Sequence, residues 1–454
     1  MIVESGQPWE ALEQRVCAGD RSEVRALLER LPPSELVLAV SRLTDESRVR
    51  LMEILSPEEA AGLVDKIPDV QAVDLIERLG PERAAAILER LASDERADLL
   101  GDLDPERADA IFARMGSERA LAARALSRYP DDVAGGLMIQ EHLTYPHSAT
   151  VGEVLEDLRG HADRYRDYLV QYAYVTREGR LRGVLRLRDL FFERRDRGIA
   201  EILRPDPLTV LDTASLDELR EFFERHPFYG VPVVSRRGRL VGVVTRAAVE
   251  AARADRSESD YLKTQGIVGG EELRTMPLLL RSRRRLAWLS INIGLNMLAA
   301  SVIAVYQETL AAVIALAVFL PIISDMSGCS GNQAVAVSMR ELTLGVLRPG
   351  EVLRVWLKEV SVGAINGLVL GLLIAAAAWL WKGNPVLGGV VGVAMAVNTV
   401  VAVSIGGTVP LVLRRLRLDP ALASGPILTT VTDMCGFFLV LSIASAAMPW
   451  LAAR

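Results

Sequence analysis

Five apolar stretches occupy the second half of the sequence, and each is long enough to cross the roughly 30 Å hydrocarbon core of a bilayer. They lie at about residues 286–306, 311–339, 360–380, 386–412 and 425–450. Nearly all the charged residues precede Arg285. The 454-residue chain is therefore predicted to have a charged soluble region followed by a membrane region of five helices.

The charges beside the apolar stretches predict the orientation of the chain. Arginines at 281 and 283–285 precede the first stretch, and the loops at about 340–358 and 414–417 are also basic. The loops at 307–310 and 382–385 are short and nearly uncharged. Cytoplasmic loops are enriched in Lys and Arg. We therefore expect a bacterial inner-membrane protein with a cytoplasmic N-terminal region and an external C-terminus, and the first ten residues lack the pattern of a signal peptide.

Composition and missing motifs argue against several functions. The net charge of -6 offers no broad basic surface, so nucleic acid is not an expected partner. Cys17, Cys329 and Cys435 lie far apart without metal-ligand spacing, which argues against a disulfide framework or a zinc site. All four histidines precede the apolar half, which argues against an intramembrane metalloprotease, and no phosphate-binding Gly-rich loop is present. We do not expect an enzyme.

A 24-residue repeat runs from about residue 23 to residue 128. Leu-x-Pro-Glu recurs at 55–58, 79–82 and 103–106, with related helix starts midway at Asp69 and Ser93. Ser56 and Asp104 suit the N-cap of a helix, and the proline that follows suits the first helical position. This pattern predicts short stacked helices that form a small α-solenoid.

A duplicated β-α-β-β-α pattern begins at about Met138. Apolar strands at 172–175 and 180–185 and a helix from Leu187 are matched by strands at 229–234 and 240–245 and a helix from Arg246. Val-Pro-Val-Val at 231–234 and Gly-Arg-Leu-Val-Gly-Val-Val-Thr at 238–245 resemble a CBS module, and residues 138–255 resemble a tandem CBS pair.

CBS pairs are regulatory and often bind adenine nucleotides. Their nucleotide site has Ser or Thr after the last strand and Asp three residues later. The first copy has Arg186 and Asp189 at these positions, and the second has Thr245 and Ala248. Each copy keeps half of the pattern, so the resemblance makes Asp189 and Thr245 the candidates for an ATP site.

Polar groups interrupt two of the apolar stretches, where each needs a partner in protein, water or an ion. A polar run at 325–333 follows Pro321 in the second stretch, and we expect a helix break there to free carbonyl oxygens. In the fifth stretch, Thr429 and Asp433 are four residues apart and share a helical face. A carboxylate beside hydroxyl and carbonyl oxygens suits Mg²⁺, although Asp433 could instead be a paired carboxyl that serves helix packing.

The order of these parts, and three local motifs, resemble the MgtE family of magnesium channels. The motifs are Gly-Cys-Ser-Gly-Asn-Gln at 328–333, Asp-Pro-Ala-Leu-Ala-Ser-Gly-Pro at 419–426 and Tyr-Pro-Asp-Asp-Val-Ala-Gly-Gly-Leu-Met at 129–138. The resemblance covers nearly the whole chain. It implies a homodimer in membrane lipid with a pore between the subunits, in which Asp433 binds the permeating ion. The candidate pore-lining residues are Gly328, Asn332, Thr429 and Asp325.

The family resemblance also implies gating by cytoplasmic Mg²⁺, which bridges carboxylates of the N-domain, the CBS pair and a connector helix. Asp94, Asp98 and Asp217 match such acids. Four positions where acids are expected have other residues, namely Pro227, Ala247, Ala248 and Ala251. Our hypothesis is that Mg²⁺ sensing is weakened or relocated. Departures at Gln307, Asp325 and Cys329 also raise the possibility of a different ion selectivity.

The predicted fold class is a multi-domain chain with an all-α superhelical N-domain, an α/β CBS pair, a connector helix and an all-α membrane domain. The expected boundaries are 1–130, 131–200, 201–255, 256–284 and 285–454. The predicted function is divalent-cation transport, with Mg²⁺ as the transported and regulatory ion. Two alternatives remain: a non-transporting sensor or scaffold, and a transporter for Co²⁺ or Mn²⁺. Channel conduction and coupled transport are not distinguished.

Overall fold

The computed structural model describes residues 7–163, 165, 168, 171–267, 278–347 and 350–451. It divides into two compact units, Met1–Arg256 and Ser257–Arg454.

Helices form the described part of the chain up to Leu126. They are α1 (Pro8–Ala18), α2 (Arg21–Arg30), α3 (Pro33–Arg42), α4 (Asp45–Ile54), α5 (Pro57–Val64), α6 (Asp69–Arg78), α7 (Pro81–Leu88), α8 (Ser93–Asp102), α9 (Pro105–Phe112) and α10 (Ser117–Leu126). From α4 onward each helix packs against the helix two places later along the chain, and side chains such as Leu51, Ile76 and Ile87 are fully buried between them. The predicted α-solenoid is confirmed.

The helix starts predicted from the repeat are also confirmed. The Ser56 hydroxyl accepts a hydrogen bond from the Glu59 N–H at 3.2 Å, and the Glu59 carboxylate accepts one from the Ser56 N–H at 2.7 Å. This reciprocal capping box satisfies two N–H groups that the helix itself cannot pair. The Asp104 carboxylate likewise accepts from the Glu106 N–H at 3.0 Å. The two midway starts are the first residues of α6 and α8.

The CBS pair contains two four-stranded sheets. The strands are β1 (Met138–Ile139), β2 (Leu143–Pro146), β3 (Tyr172–Arg177), β4 (Arg180–Arg186), β5 (Arg204–Pro205), β6 (Val210–Leu211), β7 (Gly230–Val234) and β8 (Leu240–Thr245). The helices are α11 (Val151–Gly160), α12 (Leu187–Leu190), α13 (Leu216–Arg225) and α14 (Arg246–Thr264), with a 3-10 helix at Ile199–Glu201. The sheet orders are β2-β3-β4-β5 and β1-β8-β7-β6.

The predicted duplication is confirmed, and the structure adds an exchange of strands. In both sheets a parallel pair, β2 with β3 or β6 with β7, is followed by an antiparallel strand. However, β1 at the start of the first copy pairs with β8 of the second, while β5 at the start of the second copy pairs with β4 of the first. Both exchanged strands have only two residues, which is too short for a visible period in the sequence.

The connector begins as part of α14. This helix runs without interruption from the second CBS copy to Thr264, where the sequence predicts a separate polar helix. Gly266 then adopts a left-handed conformation with φ of 77°. The part of the expected connector at 268–277 lies outside the described residues.

Helices also form the second unit. They are α15 (Leu278–Val305), α16 (Gln307–Ala312), α17 (Leu316–Thr343), α18 (Val352–Lys382), α19 (Pro385–Arg415), α20 (Pro420–Ala446) and α21 (Met448–Leu451). Within the described residues, α15, α18, α19 and α20 are long and apolar enough to cross a membrane. The remaining predicted span, α17, has 28 residues, but the polar run at 325–333 makes it less apolar.

The predicted break in the second span is wrong. α17 continues through residues 325–333 with Pro321 inside it, and α20 continues through Pro426. A proline removes one backbone hydrogen bond, which a helix supported by its neighbours can tolerate. In α20 the Thr430 hydroxyl donates to the Pro426 carbonyl at 2.8 Å. The carbonyl oxygens of α17 are therefore not freed by a break at this point.

Small residues allow α18 and α19 to pack closely. A Cβ added to Gly367 would lie 2.5 Å from the Ala396 carbonyl oxygen, and one added to Gly371 would lie 2.6 Å from the Gly392 carbonyl oxygen. Membrane helices approach one another closely where such small residues face each other. α19 also contacts α17 and α20, so it lies at the centre of this unit.

Candidate ion pathway

Asp433 lies on α20, whose start is well defined. The Asp419 side chain accepts a hydrogen bond from the Ala421 N–H at 2.9 Å, and Pro420 is the first helical residue. α20 packs against α15, α17 and α19, and Asp433 is partly buried among them. The Ser324 hydroxyl of α17 donates a hydrogen bond to Asp433 Oδ1. The Asp433 carboxylate is thus hydrogen-bonded by a residue of a neighbouring helix.

The predicted pore-lining residues of α17 follow Ser324 along one side of the helix. Asp325 and Asn332 are exposed in the single chain, and Gly328 is partly exposed. A Cβ on Gly328 would meet no heavy atom within 4 Å. The opposite side, which includes Ile323, is buried against neighbouring helices. α17 therefore has a polar side that this chain alone does not cover.

The three threonines near Asp433 on α20 differ in exposure and in the hydrogen bonds of their hydroxyls. Thr429, one turn before Asp433, is exposed. Thr430 is buried and its hydroxyl donates within its own helix. The Thr432 hydroxyl is buried and donates to the Thr429 carbonyl at 3.0 Å. Of these three, only Thr429 has a side chain exposed on the same helical face as Asp433.

A cluster of carboxylates surrounds α8 in the first unit. Asp94 and Asp98 lie one turn apart on this helix, with Glu95 between them. The other acids whose charges act on these three include Asp65, Asp69, Asp102, Asp131 and Glu141. Asp217 lies on α13 and is not among the charges that act most strongly on Asp94 or Asp98. The structure thus brings together two of the three predicted sensor acids.

The cluster holds its protons more strongly than isolated acids do. Desolvation, and then the neighbouring carboxyl of Asp65, raise the pKa of Glu95 to about 8. Desolvation and the charges of Asp131 and Asp94 raise the pKa of Asp98 to about 7, although its side chain keeps contact with solvent. Desolvation also raises the pKa of Asp94, and its Oδ1 is buried without a hydrogen-bond partner among the described residues. A cation would relieve this repulsion.

The arrangement is a region of negative charge rather than a preformed coordination shell. Within the residues that the structure describes, no group of three or more His, Cys, Asp or Glu side chains is arranged to hold a metal ion. Carboxylates that are separated in this way suit a hydrated cation better than a dehydrated one.

A cavity of about 240 Å³ lies in the CBS pair. Its lining includes the tyrosine rings of Tyr172, Tyr174 and Tyr229. Thr245 also lines it, and its hydroxyl accepts from the Ala248 N–H at 3.0 Å. Asp189, the other ATP-site candidate, is not among the lining residues. The structure therefore separates the two halves of the predicted nucleotide pattern.

The cationic side chain in the lining of this cavity is already engaged. The Arg246 guanidinium donates to the carbonyl oxygens of Phe223, His226 and Phe228 at 2.6, 2.7 and 3.1 Å. Among the described residues, the lining thus fits a planar ring and offers little uncommitted positive charge for phosphates.

Known proteins resemble this chain along most of its length. The magnesium transporter MgtE of Thermus thermophilus is 36% identical over 324 residues, which are 70% of this chain and 71% of the relative. The chain belongs to the MgtE family. A family model for a divalent cation transporter, MgtE, matches residues 320–443, the MgtE intracellular N domain matches 31–132, and the CBS domain matches 199–254.

Other proteins are also similar to this chain. The MgtE magnesium transporter of Bacillus subtilis is 29% identical over 327 residues, which are 72% of each chain. A crystal structure of the cytosolic domain of the Mg²⁺ channel MgtE in complex with ATP is 31% identical, with a TM-score of 0.48 over 54% of this chain and 99% of that one. The soluble part of a magnesium transporter is 27% identical, with a TM-score of 0.49 over 55% and 98%.

Two residues near Asp433 in this MgtE chain are not predicted from the sequence. Ser324 resembles the many small polar residues of membrane helices, and nothing local marks its bond to a residue 109 positions away. The sequence does distinguish Asn398, because it is the one side-chain amide in the apolar stretch at 386–412. A buried amide in an apolar helix needs a partner, and its side chain donates to the Thr432 carbonyl at 3.1 Å.

Proposed function

We propose that this protein transports Mg²⁺ across a membrane and that Asp433 binds the permeating ion. The observation that carries the proposal is a partly buried carboxylate among apolar helices, hydrogen-bonded by Ser324 from a second helix. Membership of the MgtE family, with relatives named as magnesium transporters, supports the choice of ion. An acid in such a position is costly unless it serves an ion pathway or has a charged partner.

The ion pathway is completed by a second copy of the chain. Asp325, Asn332 and Thr429 are exposed in the single chain, and strongly polar side chains of membrane helices rarely face lipid hydrocarbon. They therefore face water or a partner. In a homodimer, the exposed polar residues of the two chains surround a shared axis, where they face water and the partner chain. Two Asp433 carboxylates near that axis favour divalent over monovalent cations. The mass of the protein in detergent tests the dimer.

Gating is assigned to the carboxylates of α8. Raised pKa values at Glu95 and Asp98 mean that a cation there replaces protons and relieves repulsion. We place regulatory Mg²⁺ at Asp94 and Asp98, and Asp217 belongs to a separate position on α13. This keeps the N-domain part of the sensing that the family resemblance implies and reduces the part played by the CBS pair, in keeping with the non-acidic residues at Pro227 and Ala248.

The cavity of the CBS pair is our assignment for an adenine nucleotide. Its tyrosines suit the base, Thr245 is part of its lining and Asp189 is not. Because Arg246 is engaged, we expect adenosine and ATP to bind with similar affinity. Calorimetric titration of the full-length protein with both ligands tests this.

The experiment that tests the function is uptake into liposomes that contain the purified protein. Asp433→Asn keeps the size of the side chain and removes its charge. We expect this variant to lose at least about 90% of Mg²⁺ uptake, as for removal of a charged ligand. Thr430→Val is the matched control, because it lies on the same helix and its hydroxyl bonds only within that helix among the described residues.

The same assay separates the alternatives. Uptake of Co²⁺ or Mn²⁺ in preference to Mg²⁺ would change the substrate and keep Asp433 in its role. If the wild-type protein takes up no divalent cation at any internal Mg²⁺ concentration, the protein is a non-transporting sensor. Equal uptake by Asp433→Asn and wild type would remove the assigned role of this residue.

A further inference from the structure

Asn398 lies in the middle of α19 and is fully buried. Its helix is otherwise mainly apolar and contacts α17, α18 and α20. The side chain of Asn398 has one hydrogen bond, from Nδ2, and its Oδ1 is buried without a partner among the described residues. An apolar side chain of the same size would avoid this unsatisfied group, so packing alone does not account for an asparagine.

The bond that Asn398 makes is directed at the turn that carries Asp433. Its Nδ2 donates to the carbonyl of Thr432, the residue immediately before Asp433, at 3.1 Å. In a regular helix that carbonyl accepts from the N–H four residues later, which belongs to Gly436. A Cβ on Gly436 would lie 2.8 Å from Asn398 Nδ2. The missing side chain of this glycine therefore gives the amide access to the backbone of α20.

The turn that carries Asp433 is thus held from two helices. Ser324 on α17 bonds the carboxylate itself, and Asn398 on α19 bonds the backbone one residue earlier. Together these contacts fix where the carboxylate lies and which way it points. An ion ligand that is held in this way needs less rearrangement when the ion arrives.

We propose that Asn398 is a positioning residue for the ion pathway, which sets the place and direction of the Asp433 carboxylate through the backbone of Thr432. The proposal rests on the function proposed above, in which Asp433 binds the ion. Without the amide, the charge remains and its position becomes less well defined. The expected effect is weaker ion binding with little loss of folded protein.

The test compares Asn398→Leu with Thr399→Val in proteoliposomes. Leucine has the same branched arrangement of four side-chain heavy atoms and no hydrogen-bond donor. Thr399 is the adjacent residue, is equally buried, and its hydroxyl donates to the Met395 carbonyl of its own helix at 2.8 Å. Uptake is measured against Mg²⁺ concentration and normalised to folded protein. We expect the half-saturating concentration to rise about tenfold in Asn398→Leu, the loss of about one good hydrogen bond, and less than about twofold in Thr399→Val.

Gly436→Ala provides a second variant in case Asn398→Leu does not fold. Its methyl group would displace the amide while Asn398 remains, so we expect the same rise in half-saturating Mg²⁺. Values for Asn398→Leu or Gly436→Ala that match Thr399→Val would overturn the positioning role and leave Asn398 a packing residue. Asp433→Asn is measured in parallel: if that variant retains uptake, the proposed role of Asp433 in ion binding has failed, whereas loss of uptake in Asp433→Asn together with an unchanged Asn398→Leu rejects the positioning role alone.

Discussion

The turn around Asp433 shows how single side chains divide their tasks. The Ser324 hydroxyl contacts the carboxylate and the Asn398 amide contacts the backbone, while Thr430 and Thr432 use their hydroxyls within their own helix. A hydroxyl or amide that is hydrogen-bonded within the protein is unavailable to an ion. The groups left for an ion on this face are therefore few, and Asp433 carries the charge among them.

The acids of α8 are expected to make the stability of this helix depend on pH. Glu95 and Asp98 have pKa values raised to about 8 and about 7 in the folded protein. Carboxyls with raised folded-state pKa values stabilise the fold fully at pH values below about 4, near their unfolded-state pKa values, and this contribution is lost as the pH rises through 7 and 8. We expect a smaller free energy of local opening of α8 at pH 8.5 than at pH 6. Hydrogen exchange of the full-length protein, corrected for intrinsic rates, measures it.

Two controls make this result specific to the carboxylates. The double variant Glu95→Gln with Asp98→Asn removes both titrating groups, so the difference between the two pH values should shrink. Added Mg²⁺ should restore protection at pH 8.5 more than at pH 6, because fewer protons compete with it at the higher pH. Equal opening free energies at both pH values in the wild type would contradict the prediction.

At the scale of the helices, close contact decides the arrangement of the membrane unit. Glycines of α17, α18 and α19 face backbone atoms of neighbouring helices, which a side chain would push apart. A Cβ on Gly406 of α19 would lie 2.2 Å from the Gly331 carbonyl oxygen of α17. Because α17 carries Ser324 and α19 carries Asn398, these contacts also set the distances around Asp433.

Gly406→Ala is expected to destabilise the membrane unit, and Gly389→Ala is not. Both glycines lie in α19, but a Cβ on Gly389 would meet no heavy atom within 4 Å. Alanine in an open helical position is favoured over glycine by about 0.5–1 kcal/mol, whereas overpacking costs about 1–3 kcal/mol. Thermal unfolding in detergent should give a lower midpoint for Gly406→Ala and an unchanged or higher one for Gly389→Ala. The same midpoint for both variants would argue against tight contact between α17 and α19.

At the scale of the whole molecule, a charged first half with solenoid and CBS pair precedes an apolar helical half along the chain. Basic residues in the first turns of α15 and at the C-terminal ends of α17 and α19 favour retention of these ends in the cytoplasm. This orientation is still a prediction, and the chain contains a natural probe for it. Cys17 is exposed on α1 in the first half of the chain, and the other two cysteines lie on α17 and α20.

Cys17 should react with a membrane-impermeant maleimide in inverted membrane vesicles and not in intact spheroplasts. The measurement uses a variant in which Cys329 and Cys435 are replaced by serine, so that Cys17 is the remaining thiol. A further change, Cys17→Ser, gives the background. Labelling in intact spheroplasts would place the N-terminal region outside and reverse the predicted orientation.

Local patterns were enough to predict most of the helices and the longer strands of this protein. The 24-residue repeat predicted the solenoid because each proline and cap acts on its own helix, as the Ser56 capping box illustrates. Alternating apolar residues predicted the main strands of the CBS pair. Asp433 stood out because an acid in an apolar stretch is costly wherever that stretch folds. These signals depend on neighbours in the chain and can be read without the fold.

Contacts between distant parts of the chain required the tertiary structure. Ser324 and Asp433 are 109 residues apart, and Asn398 and Thr432 are 34 apart. The carboxylates that shift the pKa values of α8 come from other helices and loops, and β1 joins a sheet whose other strands follow 70 or more residues later. The sequence by itself determined which polar and charged residues are energetically unfavourable in their local setting unless they find a partner. Only packing decided which partners relieve that cost, because each pairing depends on the positions of at least two separate elements.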